Sequence, residues 1–250
     1  MKNIKVSVIS VVKNGMPFLE DAFKSYDNQT LEDKEHIVVY SNSEDETESF
    51  LKKFENKKKI IKDEYSTNKF GSINIGIKEA KGEIIGLLHA DDVYPNSCTL
   101  DKVYKFYKNQ NADVIYGDIK FCKKNNLKKT IRFWKSDYFS FKKLRFGWMP
   151  PHTSIYVKKE IIKNNLYNTK FPISGDYEFI LNLFLNNSLK KIYFEKVLCI
   201  MRSGGDSTRI SGLVKKFKED IAISKKFFSY YYLTVIFKIL RKISQFFILK

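Results

Sequence analysis

The segment EIIGLLHADDVY, residues 83 to 94, places two adjacent aspartates directly after a hydrophobic run. The run EIIGLLH is typical of a buried strand, and Asp91 and Asp92 follow it. Open α/β sheets bind their ligands just past the carboxyl ends of such strands. Two neighbouring carboxylates are costly there unless a cation compensates them, and their oxygens suit Mg²⁺ or Mn²⁺. A helix cap formed by one of the two aspartates is the simpler alternative.

Outward from this segment, predicted strands and helices alternate along the chain. The β-branched run VSVISVV at 6–12 ends in the turn signal Lys13-Asn14-Gly15. Such alternation predicts a parallel sheet with helices on its faces. The other predicted strands are 36–40, 60–61, 83–89, 113–116 and 191–201, and the predicted helices include 43–54, 72–80, 98–109 and 175–185. We expect Ser43 and Glu46 to form a capping box at the start of the helix at 43–54.

The composition favours a folded α/β protein with a basic surface. The chain has 250 residues, 43% of them hydrophobic, and a formal net charge of +17. Such a charge attracts phosphates of nucleic acids, lipids or small anions, although a lysine-rich proteome explains it equally well. Three widely spaced cysteines suggest neither a disulfide framework nor a zinc site. Since neither a signal peptide nor a run of about 20 apolar residues is evident, we expect a cytoplasmic protein.

A second acidic motif lies at the start of a predicted helix. Gly175-Asp176-Tyr177-Glu178 precedes an apolar run, and the helix dipole stabilises a carboxylate at such a position. Asp176 is therefore a candidate general base, although Glu178 could be the base instead and a capping role is simpler for both. His152, within Gly147 to Thr153, could orient a phosphate or an acceptor hydroxyl. A lone histidine is, however, more often structural.

In this order and spacing, the motifs resemble the inverting family-2 glycosyltransferases of the GT-A fold, in particular bacterial enzymes of surface-polysaccharide assembly. The resemblance covers roughly residues 4 to 207. The motifs that carry it are VISVVKNG at 8–15, SYDNQT at 25–30, SEDET at 43–47, NIGI at 74–77, AKGE at 80–83, HADD at 89–92, YGD at 116–118, PH at 151–152 and GDYE at 175–178.

The resemblance implies a fold, a reaction and residue roles. The fold would be a GT-A-like α/β/α sandwich with a mostly parallel central sheet. The reaction would be a metal-dependent, inverting transfer of a sugar from a nucleotide-sugar donor, UDP-linked by default, to a glycan or lipid-linked acceptor. Asp92 would bind Mn²⁺ or Mg²⁺, Asp91 would lie near the ribose or diphosphate, and Asp176 would be the base. The nucleotide side would also hold Val11, Asn14, Tyr40 and Asp45, and the acceptor or phosphate side Trp148, His152 and Glu178.

Three positions depart from the family pattern. Tyr40 ends the second strand, where an acid usually contacts the base of the nucleotide. His89 stands at the first acid of the fuller acidic motif, and Gly71 stands where an acid usually precedes the helix. A tyrosine can stack or donate a hydrogen bond but offers no carboxylate. These departures leave open a non-catalytic, sugar-nucleotide-binding or scaffolding relative of the same fold.

Two unrelated classes of protein are weaker alternatives. A nucleic-acid-binding protein would use the positive charge and the many aromatic residues. No known binding module is recognisable, however, and an uncompensated acidic pair would repel phosphates, so we expect no nucleic-acid partner. A nucleotidyltransferase would need a basic, glycine-rich phosphate loop, of which Lys13-Asn14-Gly15 is a poor example.

The end of the chain differs in character from the rest. We expect a glycosyltransferase domain at 1–212, divided into a nucleotide-binding half at 1–117 and an acceptor half at 118–212, and a basic amphipathic helical tail at 213–250. We expect the tail to bind the anionic inner face of the cell membrane as a peripheral anchor, with packing on the protein or on a second subunit as the alternative. Its apolar stripe would be Phe228, Tyr232, Val235, Ile239, Ile243 and Phe246, with Lys238, Arg241, Lys242 and Gln245 largely off it.

Overall fold

A computed structural model describes residues 3–204 and 210–245, the side chains of 210, 211, 243 and 244 excepted. The strands are β1 Val6–Val12, β2 Lys34–Tyr40, β3 Lys59–Lys62, β4 Ile84–Leu87, β5 Val114–Lys123, β6 Asn126–Trp134, β7 Tyr156–Lys158 and β8 Lys191–Arg202. The helices are α1 Leu19–Asp27, α2 Thr47–Lys52, α3 Lys69–Glu79, α4 Thr99–Gln110, α5 Phe141–Arg145, α6 Lys159–Lys163, α7 Gly175–Leu185, α8 Ile210–Phe227 and α9 Tyr231–Ser244, with a 3₁₀ turn at His152–Ser154.

The strands form one mixed sheet of eight strands. Its order is β3-β2-β1-β4-β7-β5-β6, and β8 pairs with β5. The pairs β1–β2, β1–β4, β2–β3 and β5–β8 are parallel. β7 runs antiparallel to both β4 and β5, and β6 runs antiparallel to β5. The predicted α/β fold with a mostly parallel sheet is confirmed in the first half of the chain, while the short β7 joins that half to the second.

The central strand β1 is buried on both faces, as its apolar run predicts. Val8 packs with residues of α1 and α4, whereas the next residue, Ile9, packs with residues of α3. Gly76 brings α3 close to β1, because a Cβ at that position would lie 2.5 Å from the Ile9 side chain. Each fully buried aliphatic side chain of this kind contributes about 1.5–3 kcal/mol.

The helix after β2 is shorter than predicted, and the expected capping box is absent. α2 begins at Thr47, and Asp45 Oδ1 accepts a hydrogen bond from its backbone nitrogen at 3.0 Å. Asp45 Oδ2 accepts from the backbone nitrogen of Met16 at 2.9 Å, and Ser43 Oγ accepts from that of Asn14 at 3.1 Å. Residues 43–46 are therefore a loop bonded to the loop after β1, and not the first turn of a helix.

The predicted tail consists of two helices that pack against the domain. α8 begins at Ile210, three residues before the expected boundary. From α8, Ser224 Oγ lies 3.0 Å from the Tyr177 hydroxyl. From α9, Thr234 Oγ1 donates to the Arg145 carbonyl at 2.8 Å. α8 and α9 are thus part of the packed structure, and none of the helices in the described part of the chain is long and apolar enough to span a bilayer.

The apolar stripe predicted for the tail does not coincide with the buried face of α9. Phe228 and Val235 are buried, but Tyr232 is 57% exposed and Ile239 is 45% exposed. Lys238, expected off the stripe, is itself buried. The side chain of Ile243 and all of Phe246 lie outside the described residues. An exposed apolar row lies instead on the outer side of α9 and consists of Leu233, Ile236, Phe237 and Leu240.

Candidate active site

The candidate site is centred on His89, just after β4. Its ring centroid lies 6.1 Å from that of His152, in the 3₁₀ turn. Burial and the charge of Lys69 lower the pKa of His89 to about 4, while Asp91 and Asp176 act in the opposite direction. The residues that contact His89 or act on its charge lie at the start of α3, after β4, in the 3₁₀ turn and at the start of α7. The predicted residues His152, Asp91 and Asp176 are among them.

Asp176 is held as a carboxylate at the first turn of α7. Its Oδ1 accepts a hydrogen bond from the backbone nitrogen of Tyr177 at 2.9 Å. Burial raises the pKa of Asp176, but the charges of Lys216, His152 and Lys69 outweigh burial and bring the pKa to about 2. Asp176 is therefore ionised at neutral pH, as a general base requires.

His152 is oriented by a tyrosine that the sequence did not single out. Its Nε2 lies 2.6 Å from the Tyr167 hydroxyl. Asn74 holds the backbone of Tyr167 through two hydrogen bonds of 2.8 Å, one donated and one accepted. Burial lowers the pKa of His152 to about 4, so the ring is neutral at pH 7. The asparagine of the NIGI motif thus acts through Tyr167, which lies 93 residues away in the sequence.

The two aspartates after β4 have different surroundings. Asp91 is half-buried, whereas Asp92 is fully buried and has no hydrogen-bond partner for either oxygen among the described residues. Burial and the charge of Asp91 raise the pKa of Asp92 well above its ordinary value, and the nearby Cys199 thiol and Arg202 oppose this only in part. Buried carboxylate oxygens without partners are costly unless a proton or a cation compensates them.

The aspartate pair fits a divalent cation that takes its other ligands from the substrate. In residues 3–204 and 210–245, no group of three or more His, Cys, Asp or Glu side chains could hold a metal ion. Mg²⁺, however, commonly binds through one or two carboxylates together with substrate phosphates and water. Asp91 is the member of the pair with exposed surface, which favours it as the ligand on the accessible side. The choice of Asp92 as the metal ligand stays a prediction.

The residues predicted to hold the nucleotide lie at the ends of β1 and β2. Val11 and Tyr40 are half-buried near those ends. Asn14 has a positive φ of 50°, and its Oδ1 accepts a hydrogen bond from the Glu44 backbone nitrogen at 2.8 Å. Asn14 and Asp45 each bond the loop after β1 to the loop after β2. In this structure both residues shape the rim of the predicted nucleotide site through those bonds.

Asp63, after β3, is an acid of this region that the sequence reading missed. Its Oδ1 accepts from the Ser66 backbone nitrogen at 2.9 Å, and its Oδ2 accepts from the Ser72 hydroxyl at 2.6 Å. Burial raises the pKa of Asp63, but these hydrogen bonds outweigh it and lower the pKa overall. Position 71 has no room for an acid, because a Cβ on Gly71 would lie 2.6 Å from Ser66 Oγ. Asp63 shapes the loop before α3.

Two further motifs act by positioning other segments. Gln29, in SYDNQT, donates from Nε2 to the Asn96 carbonyl at 2.7 Å and so ties the end of α1 to the loop after the aspartate pair. Asp118, in YGD, is buried and accepts from the Ser136 backbone nitrogen and the Tyr193 hydroxyl, both at 2.7 Å. Burial raises the pKa of Asp118, which the two hydrogen bonds partly oppose. These motif residues support the site from outside it.

Two residues predicted on the acceptor side have structural contacts. Trp148 is buried, and its ring packs against those of Tyr116 and Phe184 with centroids 5.8 Å and 5.6 Å away. Glu178 is buried, and its Oε1 accepts from Lys226 Nζ at 2.6 Å. The ion pair gives Glu178 a structural role and leaves Asp176 as the better candidate base.

The acidic pair follows a central strand of the α/β sheet, where such sheets bind ligands, and Asp176 is a separate ionised carboxylate that could act as a base. The family described as "Glycosyl transferase family 2" matches residues 7–165. The chain belongs to this family.

Similar proteins in other organisms are named as glycosyltransferases. An uncharacterized glycosyltransferase of Methanocaldococcus jannaschii is 27% identical over 193 residues, which cover 73% of this chain and 65% of the relative. The cholesterol galactosyltransferase of Borreliella burgdorferi is 27% identical over 279 aligned positions, which cover 94% of this chain and 75% of the relative. The chain therefore spans just under two thirds of the length of the first of these relatives.

Solved structures share the fold. Staphylococcus aureus TarS 1-349 in complex with UDP-GlcNAc superposes with a TM-score of 0.72 at 18% identity, covering 89% of this chain and 66% of that one. The mannosyltransferase PcManGT of Pyrobaculum calidifontis, in complex with GDP-Man and Mn²⁺, superposes with a TM-score of 0.65 at 16% identity, covering 90% and 64%. The GT-A-type fold expected from the sequence is confirmed.

Proposed function

We propose that this chain transfers a hexosyl or N-acetylhexosaminyl group from a nucleotide-sugar donor, with inversion, to a hydroxyl of a glycan or lipid-linked acceptor in surface-polysaccharide synthesis. Membership of the family and the fold shared with proteins that bind UDP-GlcNAc and GDP-Man support a nucleotide-sugar donor. UDP is the default nucleotide. The observation that carries the proposal is Asp176, a carboxylate in the first turn of α7 with a pKa of about 2, which together with Asp91 raises the pKa of His89.

In the proposed reaction Asp176 is the general base. Its carboxylate takes the proton of the acceptor hydroxyl as that oxygen bonds to the anomeric carbon and the bond to the donor's diphosphate breaks. The other two carboxylates of the site, Asp91 and Asp92, are assigned to the donor. Our proposal therefore includes no enzyme carboxylate that attacks the anomeric carbon. A single displacement therefore follows, and a single displacement inverts the anomeric carbon. His152, neutral and fixed by Tyr167, orients the acceptor or a donor phosphate.

The low pKa of Asp176 describes the site before the donor binds. The charges that hold it at about 2 come from Lys216 and Lys69, with His152. A donor diphosphate would bring negative charge toward the same lysines and would offset their effect on the pKa of Asp176. We therefore expect donor binding to raise the pKa of Asp176 and to make it a stronger base when the acceptor is present.

We assign a divalent cation, Mn²⁺ or Mg²⁺, to the aspartate pair. Asp91 would contact it from the accessible side, and the buried Asp92 has two oxygens without a hydrogen-bond partner in the part of the chain that the structure describes. When bound, such an ion neutralises charge that develops on the leaving diphosphate. Lys69, an exposed cation whose charge acts on His89, is placed to assist with the same charge.

A transfer assay tests the proposed function. The assay measures release of UDP from UDP-GlcNAc and UDP-galactose, with a membrane extract as the source of acceptor. We expect Asp176→Asn to lose roughly 10²–10⁴-fold in rate, while Asp101→Asn, a control in α4, keeps the wild-type rate. The non-catalytic alternative predicts nucleotide binding without transfer in the wild type. An Asp176→Asn variant as active as the wild type would remove Asp176 as the base.

We also propose that the protein binds the inner face of the cell membrane through the outer side of α9. The row Leu233, Ile236, Phe237 and Leu240 is exposed to between 37% and 51%. Arg241 on the same helix and Lys225 near the end of α8 are exposed cations. Apolar side chains flanked by basic ones complement an anionic lipid surface, to which each Lys or Arg contributes about 1 kcal/mol.

Vesicle co-sedimentation tests the membrane proposal. We expect binding to vesicles that contain phosphatidylglycerol, weaker binding at high salt, and loss of binding in the double variant Ile236→Ser, Leu240→Ser. Lys129→Gln, in β6, is the matched control. Equal sedimentation of the wild type and the double variant would contradict the proposal. A dimer that the double variant dissociates would assign the surface to a second copy of the chain.

A further inference from the structure

A cavity of about 90 Å³ lies between the end of β6, the loop after α5, and α9. Trp134 and Trp148 line it on the side of the domain, and Lys238, Arg241, Lys242 and Gln245 line it on the side of α9. The volume exceeds several-fold the roughly 10–15 Å³ that a single water needs, so an oxyanion such as phosphate has room. None of the residues assigned to donor binding lines this cavity.

The cavity contains a lysine, Lys242, that forms no ion pair with any of the residues that the structure describes. Lys242 is half-buried, and among the residues that the structure describes no acidic side chain lies within ion-pair distance of it. Asp220, whose charge raises the pKa of Lys242, already pairs with Lys238 at 2.8 Å, and both of those side chains are 5% exposed. Burial lowers the pKa of Lys242, and the charge of Lys216 lowers it further. A bound anion would relieve that repulsion.

One lining residue of the cavity contacts the residue that follows the candidate base. Lys238 Nζ lies 3.4 Å from the ring centroid of Tyr177, the residue after Asp176. Asp176 raises the pKa of both Lys238 and Lys242, whereas the cation that lowers the pKa of His89 is Lys69. Because neither aspartate of the pair lines the cavity, an anion beside Lys242 would lie apart from the residues that we assign to the donor, and we assign this anion to the acceptor.

We infer that this cavity is a subsite for a phosphate or diphosphate group carried by the acceptor, with Lys242 as its principal contact. The inference rests on the proposed function and narrows it, because it makes the acceptor a phosphorylated molecule. The indole rings of Trp134 and Trp148 give the cavity an apolar wall, and a charge attraction beside such a wall is stronger than one in open water.

Calorimetry with inorganic pyrophosphate in EDTA tests the subsite, because a metal-dependent donor site is silent under that condition. We expect Lys242→Gln to weaken pyrophosphate binding by roughly tenfold or more, since one charge-assisted hydrogen bond is lost. Lys242→Arg keeps the charge and should keep binding. Lys102→Gln, an exposed position in α4 to which we assign no role, is the matched control. A wild type that does not bind, or a Lys242→Gln variant that binds like the wild type, overturns the inference.

Two further measurements separate the possible outcomes. Binding of UDP with Mn²⁺ to Lys242→Gln should equal that of the wild type, so loss of the subsite and loss of the donor site can be distinguished. Competition against pyrophosphate then identifies the source of the phosphate. Phosphatidylcholine vesicles that carry a polyprenyl phosphate should compete if the acceptor is lipid-linked, and a soluble sugar phosphate should compete if the phosphate belongs to a glycan. If neither competes, the acceptor does not supply the anion and the inference fails.

Discussion

The ammonium nitrogen of Lys238 lies 3.4 Å from the centroid of the Tyr177 ring, and Tyr177 directly follows Asp176. The same nitrogen forms a buried ion pair with Asp220 in α8. A desolvated cation over an aromatic ring contributes about 2 kcal/mol. The two C-terminal helices are therefore joined to the helix that carries the candidate base, and they belong to the architecture of the site.

Replacing Lys238 should cost more stability than replacing an exposed lysine. Lys238→Met leaves Asp220 as a buried carboxylate without its partner, and we expect a loss of roughly 3–5 kcal/mol in the free energy of unfolding. Lys105→Met, which removes an exposed ion pair with Asp101, should cost less than about 1 kcal/mol. Urea denaturation measures both variants. Similar losses would mean that the Lys238–Asp220 pair is not buried as described.

The contact between Gly147 and α9 should tolerate no side chain. Gly147 has a φ of +70°, and a Cβ there would lie 2.2 Å from the Lys238 backbone nitrogen. We expect Gly147→Ala to lower the free energy of unfolding by roughly 1–3 kcal/mol or more. The variant should also bind pyrophosphate more weakly, because α9 must move away from the added methyl group. Gly204→Ala is the control, since Gly204 also has a positive φ, +100°, but no atom within 4 Å of the added Cβ. Equal losses of unfolding free energy in the two variants would mean that backbone strain alone, and not the contact with α9, destabilises Gly147→Ala.

All three histidines of the chain should be neutral at pH 7. Burial lowers the pKa of His89 and His152 to about 4 and the pKa of His36 well below its ordinary value. Between about pH 6.5 and 4 the unfolded chain then binds more protons than the folded one, so stability should fall as the pH is lowered through this window. In this window, the free energy of unfolding should change by at most about 1.4 kcal/mol per pH unit for each histidine.

Proton NMR of the imidazole C–H groups measures this property directly. The folded protein should show no imidazole that titrates with a midpoint near 6.5. Denaturation at several pH values should give a stability that declines on the acid side and levels off above about pH 6.5. A histidine of the folded protein that titrates near its ordinary pKa would show that His89 or His152 is open to solvent, and the geometry assigned to the site would then need revision.

The first half of the fold follows from the sequence because its strands are continuous apolar runs. β1 was predicted with its observed bounds, Val6–Val12, since burial on both faces requires such a run. β6 was not predicted, because Asn126–Trp134 is mostly exposed or half-buried and rich in lysine. The start of α2 was misplaced, because Ser43 and Asp45 bond to a loop about 30 residues earlier in the chain, and no local pattern encodes that contact.

The candidate site was predicted only in part, for the same physical reason. Asp91, His152 and Asp176 stand out locally, because each sits beside a recognisable strand, turn or helix start. Tyr167 and Lys238 could not be found in this way. Tyr167 lies in a loop without a motif and is positioned by Asn74, 93 residues away. Lys238 contacts the ring of Tyr177, the residue after Asp176, from a helix about 60 residues later in the chain.

Binding of UDP and GDP by calorimetry, with and without Mn²⁺, tests the central claim most directly when the wild type is compared with Asp91→Asn and Asp176→Asn. Our account predicts that one nucleotide binds to the wild type only with metal, that Asp91→Asn abolishes this binding, and that Asp176→Asn retains it. Failure of both nucleotides to bind under any condition, or metal-dependent binding by Asp91→Asn equal to that of the wild type, would contradict the assignment of the aspartate pair to a nucleotide-sugar donor.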